Sequence, residues 1–197
     1  MALIKEERQL IEMRGVPYVI ASIVKDWGVD ITNIEMVTDK YKQWNGEDFI
    51  ITDTRGKAII DSKYHKAKMK KQELTSYGVD VLSIEIVKSN GKAGWGISNT
   101  TTTDYIIDMI HDVGYYIIDA KRLKEYMIDS FYLYPIMYSN EGLEDYRAVS
   151  VKDLIEYEVI LHYGEFTDIE DKANSYLNGC SDDYNKYIRP LIGELKY

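Results

Sequence analysis

A single cysteine, Cys180, leaves the chain unable to close an internal disulfide or to build a cysteine-rich zinc site, which fits a reducing compartment. Histidine is nearly as scarce, and His65 has no second His or Cys close by in sequence with which to share a zinc ion. No apolar run approaches the length of a membrane span. The N-terminal segment, with Lys5, Glu6, Glu7 and Arg8, lacks the hydrophobic region of a signal peptide, so a cytoplasmic location without membrane contact is expected. Basic charge is also short: 33 acidic residues against 24 basic ones give a formal net charge of −9, and long-range attraction to nucleic acid is not expected of the chain as a whole. These absences leave one modest domain of 197 residues, long enough to bury a real core.

Chemistry concentrates in Asp48 to Lys63, DFIITDTRGKAIIDSK. Phe49, Ile50 and Ile51, and again Ile59 and Ile60, mark two short strands around the turn-forming Asp53-Thr54-Arg55-Gly56-Lys57, the pattern of a β-hairpin. With Arg55 and Gly56 at the tip, Thr54 faces Lys57, Ile50 faces Asp61 and Asp48 faces Lys63. Asp48, Asp61 and Lys63 then converge on one side. A three-residue loop without a bulge would instead pair Phe49 with Asp61 and send Asp61 to the other face.

Two carboxylates about 4 Å apart repel by roughly 4 kcal/mol at an effective dielectric near 20. Either one is protonated or a cation sits between them. A hard divalent ion with oxygen ligands resolves the conflict, and Mg²⁺ (or Mn²⁺) keeps waters that can serve as nucleophile. Lys63 shares the strand face of Asp61 and could orient that water or stabilise the charge that develops on a phosphate. An ordinary cross-strand Asp–Lys pair on a surface hairpin is the structural alternative.

The D-x12-D-S-K spacing resembles the core of the PD-(D/E)xK nuclease superfamily, in which an Asp precedes a hairpin and an Asp/Glu-x-Lys follows it. YKQWNGED at Tyr41 to Asp48 resembles the family segment leading to the first Asp, although Glu47 stands where a small or apolar residue is usual. LSIEI at Leu82 to Ile86 resembles the strand after the D-x-K element, GKAGWG at Gly91 to Gly96 a loop of phage-type and bacterial resolvase-like members, and TTDYII at Thr102 to Ile107 the next strand. The likeness spans roughly residues 35 to 155. It implies an α/β (α+β) fold with a mixed central sheet, a catalytic β-hairpin and flanking helices, like that of restriction endonucleases. It also implies metal-dependent hydrolysis of phosphodiester bonds, with DNA ahead of RNA as substrate. Asp48 and Asp61 would hold Mg²⁺ or Mn²⁺, the Ser62 carbonyl would be a further ligand, Lys63 would act on water or phosphate, and Glu85 could be an additional acid. Glu7 and Glu12 on an N-terminal helix are further candidates to approach the metal.

After the hairpin, Lys63, Tyr64, His65, Lys66, Lys68, Lys70 and Lys71 form the densest basic run of the chain, with no acid before Glu73. Lys66, Lys68, Lys70 and Lys71 could hold phosphates; a solvated lysine-rich loop or helix face would look the same. Thr100 to Thr103 add hydroxyls able to meet phosphate, and Trp95 could stack on a base or anchor its loop to the core.

The remaining pattern supplies layers. Pro17 begins a helix carrying Val19, Ile20, Ile23 and Val24 that Gly28 can end; Val79 to Val87 reads as a buried strand; Tyr115 to Ile118 continues the sheet; and Asp119 to Met127 reads as an amphipathic helix. Ala148, Val149 and Val151 read as an edge strand, and Ser150 can cap a helix over Lys152 to Tyr157. Residues 1–165 are therefore expected to form the nuclease-like domain, and 166–197, with capping signals but no candidate reactive group, a small helical appendage. A homodimer is compatible with this reading. The alternative function is a non-catalytic nuclease-fold protein that binds or inhibits a protein or nucleic-acid partner, since an acidic surface with 18 tyrosines suits protein interfaces.

Overall fold

The structure is a computed structural model that describes residues 19–21, 23–65, 81–88, 90–99, 101–110, 114–138 and 145–165. The N-terminal acids Glu7 and Glu12, the lysines Lys66, Lys68, Lys70 and Lys71, and the segment 166–197 lie outside the described residues.

The chain is mixed α/β, built on a six-stranded sheet. Residues 19–21 and 23–26 belong to a helix, α1, that the positive φ of Gly28 (80°) helps to terminate. Then come β1 (Ile31–Met36), the short helix α2 (Lys40–Trp44), β2 (Phe49–Asp53), β3 (Lys57–His65) and β4 (Val81–Val87). They are followed by β5 (Tyr105–Ile110), β6 (Gly114–Asp119), α3 (Ala120–Ser130), a 3-10 turn at Phe131–Leu133 and β7 (Ile136–Tyr138). β8 (Asp145–Ser150), α4 (Val151–Glu156) and β9 (Ile160–Glu165) close the described fold. The large sheet has the order β1-β2-β3-β5-β6-β9; β3 and β5 are parallel and the other neighbours antiparallel. A second sheet has the order β4-β8-β7 and is antiparallel.

Both faces of the large sheet are covered, which explains why β5 reads as an almost unbroken apolar run. On one face Ile51, Ile60, Ile107 and Ile117 pack against Val19, Ile20, Ile23 and Val24 of α1. On the other, Ile106 and Ile118 meet Leu82, Ile84 and Val149 of the second sheet with Leu123 and Met127 of α3. The helix ends follow their capping residues: Asp119 accepts from the Arg122 N–H at 2.9 Å at the start of α3, and Ser150 accepts from the Asp153 N–H at 3.3 Å at the start of α4.

The buried strand expected around LSIEI forms as β4; it lies within the connection between the parallel neighbours β3 and β5 and pairs with β8 in the second sheet. Two expectations need correction. Ala148 and Val149 are not on an edge: β8 is the middle strand of the second sheet, buried because β4 and β7 flank it, and Val151 already starts α4. The hairpin register is also displaced by two residues. Thr52, not Thr54, faces Lys57, so the turn spans residues 53–56. Asp53 explains the wider turn, because its Oδ1 accepts from the Arg55 and Gly56 N–H groups at 2.7 and 3.0 Å, an Asx-type closure. Among the described residues no helix is long and apolar enough to cross a membrane.

Candidate functional site

A two-residue slip preserves which face each side chain takes, since strand side chains alternate with period two. The observed register pairs Phe49 with Ile60, and its continuation sets Asp48 opposite Asp61. The backbone N–H of Asp48 donates to the Ile60 carbonyl at 2.9 Å, the last ladder bond of this pair. Beyond it the Asp48 side chain takes over: Oδ2 accepts from the Ser62 N–H at 2.8 Å and from Ser62 Oγ at 3.0 Å. Lys63 Nζ lies 2.6 Å from Asp61 Oδ1. Asp48, Asp61, Ser62 and Lys63 are thus assembled at the β2–β3 junction, while the expected pairing of Asp48 with Lys63 is replaced by that of Asp48 with Asp61.

Asp61 is the unusual member. It is only 2% exposed, and burial pushes its carboxyl up to about 6, against the opposing pull of the Lys63 ammonium; the neighbouring charge of Asp48 adds to the rise. Desolvation therefore outweighs a close ion pair. Gly46 closes over this carboxyl. Its φ is 82°, and a Cβ there would stand 3.3 Å from Asp61 Oδ2 and 2.6 Å from Thr103 Oγ1, so only glycine fits.

Asp61 and Lys63 open onto a groove of about 940 Å³ whose walls include Gln43 and Trp44 of the α2 segment and Lys88, Lys92, Trp95 and Thr101. Glu85 lines the same groove and accepts from the Tyr146 hydroxyl at 3.0 Å. Its strand is held there by the glycine loop. The Gly94 and Gly96 N–H groups donate to the carbonyls of Ile86 and Glu85 at 2.8 and 3.0 Å, and a Cβ on Gly94 would come within 2.3 Å of the Glu85 carbonyl oxygen. Trp95 between them is half-buried: it packs against the second core and also lines the groove. Thr100 lies outside the described residues, and the hydroxyls of the other three threonines are used internally: Thr101 Oγ1 donates to the Ser98 carbonyl at 3.5 Å, Thr102 to Glu47 Oε1 at 2.7 Å and Thr103 to the Gly46 carbonyl at 2.7 Å.

Asp108 was missed from sequence. It is fully buried on β5 at the register position beside Lys63, and parallel neighbours share a face. The readable signal was an acid inside YIIDMI, a strand otherwise apolar toward both layers.

Among the described residues no group of three His, Cys, Asp or Glu side chains is placed to hold a metal ion. The hard oxygen donors that could do so are Asp48 and Asp61, with the Ser62 carbonyl and water to complete the shell. They fit a divalent cation in one physical respect: the raised Asp61 carboxyl signals negative charge confined out of water, which such a cation would relieve. Compared with family models, curated proteins and solved structures, the chain matches none.

Proposed function

We propose that the protein is a metal-dependent phosphodiesterase acting on nucleic acid, of the restriction-endonuclease-like type, with Asp48, Asp61 and Lys63 as its working groups. The observation that carries the reading is the buried Asp61, facing Asp48 across the strand pair and touched by Lys63 where a large groove opens. The antiparallel run β1-β2-β3 with β5 returning parallel to β3 supports the same fold type.

A bound Mg²⁺ or Mn²⁺ would supply Lewis acidity toward a phosphoryl oxygen and a water of lowered pKa. The chain's own residues prepare the rest. Ser62 fixes the Asp48 carboxylate through two donors and leaves its charge directed at Asp61. Asp61 loses its proton through about pH 6 and is an anionic ligand above that pH. Lys63 is 28% exposed at its side chain and lines the groove, so its ammonium can serve Asp61 or a phosphate oxygen entering the groove. The lysines Lys66, Lys68, Lys70 and Lys71 follow β3 in sequence and are proposed to hold the nucleic-acid backbone.

The test is a panel of labelled DNA and RNA, single- and double-stranded, incubated with Mg²⁺, Mn²⁺ or EDTA. Cleavage that needs the metal and disappears in Asp61→Asn and Lys63→Ala supports the reading. Unchanged turnover in both variants ends it. Tight binding without cleavage under every metal condition would favour a nuclease-fold protein that binds without cutting.

A further inference from the structure

On the phosphodiesterase reading, we propose that Trp44 is a stacking platform for an unpaired nucleobase, making single-stranded nucleic acid, or a frayed end, the preferred occupant of the groove. Trp44 is 71% exposed on a helix, α2, none of whose residues is buried. Its neighbour on the same helical face, Tyr41, is 75% exposed and meets it edge-on, with ring centroids 5.5 Å apart and planes at 78°. The tryptophan contributes little to either core, yet its position is fixed from three sides. Asp39 caps α2 through the Tyr41 and Lys42 N–H groups at 2.8 and 3.3 Å, Gln43 Nε2 ties the helix to the Val37 carbonyl at 2.8 Å, and Gly46 turns the chain sharply toward Asp48.

This preorganised indole lines the same groove as Asp61 and Lys63. Lys88 and Lys92 line it too, brought together by the tight turn in which the Lys88 N–H donates to the Lys92 carbonyl at 2.8 Å. Among the described residues the ionisable groups lining the groove are thus Lys63, Lys88 and Lys92 against Asp61 and Glu85, an excess of cations in a chain whose net charge is −9. An exposed aromatic face beside lysines matches alternating bases and phosphates of a single strand. In a duplex, both faces of an internal base are covered by its neighbours, so an indole on a wall can meet only a base that is unpaired or terminal. Trp44 is therefore a specificity-determining residue and takes no part in bond cleavage.

The experiment measures binding by fluorescence anisotropy of labelled oligonucleotides to the full chain in EDTA, so that cleavage plays no part. A single-stranded DNA, an RNA of the same sequence and a blunt DNA duplex are compared on wild type, Trp44→Ala, Trp44→Phe and Lys88→Ala/Lys92→Ala. The expected result is a preference for single strands, a loss of roughly tenfold to hundredfold in Trp44→Ala, most of the affinity kept in Trp44→Phe, and a flatter salt dependence in the double lysine variant. Quenching of tryptophan emission by the single strand should fall in Trp44→Phe, which leaves Trp27 away from the groove and Trp95 half-buried on its wall. The DNA and RNA arms identify the sugar. Equal single-strand affinity in wild type and a folded Trp44→Ala overturns the proposal, as does an equal loss for duplex and single strand. Metal-dependent cleavage of duplex that is unaffected by Trp44→Ala also overturns it while leaving the phosphodiesterase reading intact. Trp44-dependent binding of single strands with no cleavage supports the stacking platform and overturns the phosphodiesterase reading.

Discussion

Replacing Asp61 with asparagine is expected to stabilise the metal-free protein at neutral pH, although it removes one side of a 2.6 Å ion pair. In the unfolded chain this carboxyl ionises near 3.8, and in the folded protein near 6. The folded state thus holds the proton more tightly. Below the unfolded value both states are protonated and the group costs nothing. As pH rises from about 4 to 6 the unfolded chain ionises first and stability falls; above that the full penalty remains, about 3 kcal/mol from the gap between the two values. The attraction of Lys63 is already included in that balance. Asparagine keeps the shape, offers an oxygen to the Lys63 ammonium and carries no charge to desolvate, so most of the penalty should be recovered. Urea unfolding in EDTA, followed by circular dichroism across this range, gives the stability difference between the two proteins. It should be small near pH 4 and grow in favour of the variant to as much as about 3 kcal/mol at pH 8. Taking the difference removes the titration of the many other acids. A variant that instead becomes progressively less stable than wild type as pH rises would refute the reasoning, because Asp61 would then be an ordinary carboxylate held ionised by its lysine.

Lys63→Ala leaves Asp61 without its cation and should cost about 1–3 kcal/mol at pH 8 in urea unfolding, less near pH 4 where Asp61 is protonated, with Asp61→Asn in the same chain cancelling most of the loss. Gly46→Ala combines a left-handed φ with a Cβ 2.6 Å from Thr103 Oγ1. It should lower the urea midpoint by the equivalent of about 1–3 kcal/mol, and an unchanged midpoint would show that the loop yields freely. Tyr134 donates to Asp153 Oδ2 at 2.9 Å and is bonded to the Tyr126 hydroxyl, and burial holds its phenol far above the usual tyrosine range. Tyr134→Phe should cost about 1–2 kcal/mol, and an ultraviolet pH titration should count no fewer normally ionising tyrosines in the variant than in wild type.

Local signals in the sequence were faithful where chemistry is local. Ser150 caps the helix expected of it, the helix expected from Asp119 starts one residue later with Asp119 as its cap, and Leu123 and Met127 mark the buried face of α3. The meeting of Asp48 with Asp61 was legible because face depends on parity, and a turn wider by two residues leaves parity intact. The register itself was not, since it hinged on Asp53 closing the turn through its side chain and not only on Arg55-Gly56 at the tip. Nothing local distinguishes β4 from a strand of the main sheet: Leu82, Ile84 and Ile86 are as apolar as β5. Its diversion to the second sheet depends on long-range pairing with β8 and on the close approach of Gly94 and Gly96. β1 was unread because ITNIEM buries Ile31 and Ile34 at an irregular spacing, with a bulge between Ile31 and Asn33 that breaks the alternation. Thr101, Thr102 and Thr103 illustrate the opposite limit, since composition shows which groups could touch a ligand and only packing shows which are already engaged.

The unequal lengths of β2 and β3 explain why the reactive groups collect at this point. β3 runs nine residues and β2 five, so the end of β3 that carries Asp61, Ser62 and Lys63 has β5 on one side and no continuation of β2 on the other. A bare strand edge there would leave the Ser62 N–H without a ladder acceptor in a half-buried setting, a cost of about 1–3 kcal/mol. The Asp48 carboxylate substitutes for the missing carbonyl, which both ends the ladder and brings a second negative charge to Asp61. A serine or asparagine at position 48 would end the ladder as well without adding charge beside a buried acid. The choice of aspartate therefore adds an electrostatic burden that strand termination does not require, and the groove at Asp61 and Lys63 is where that burden can be used.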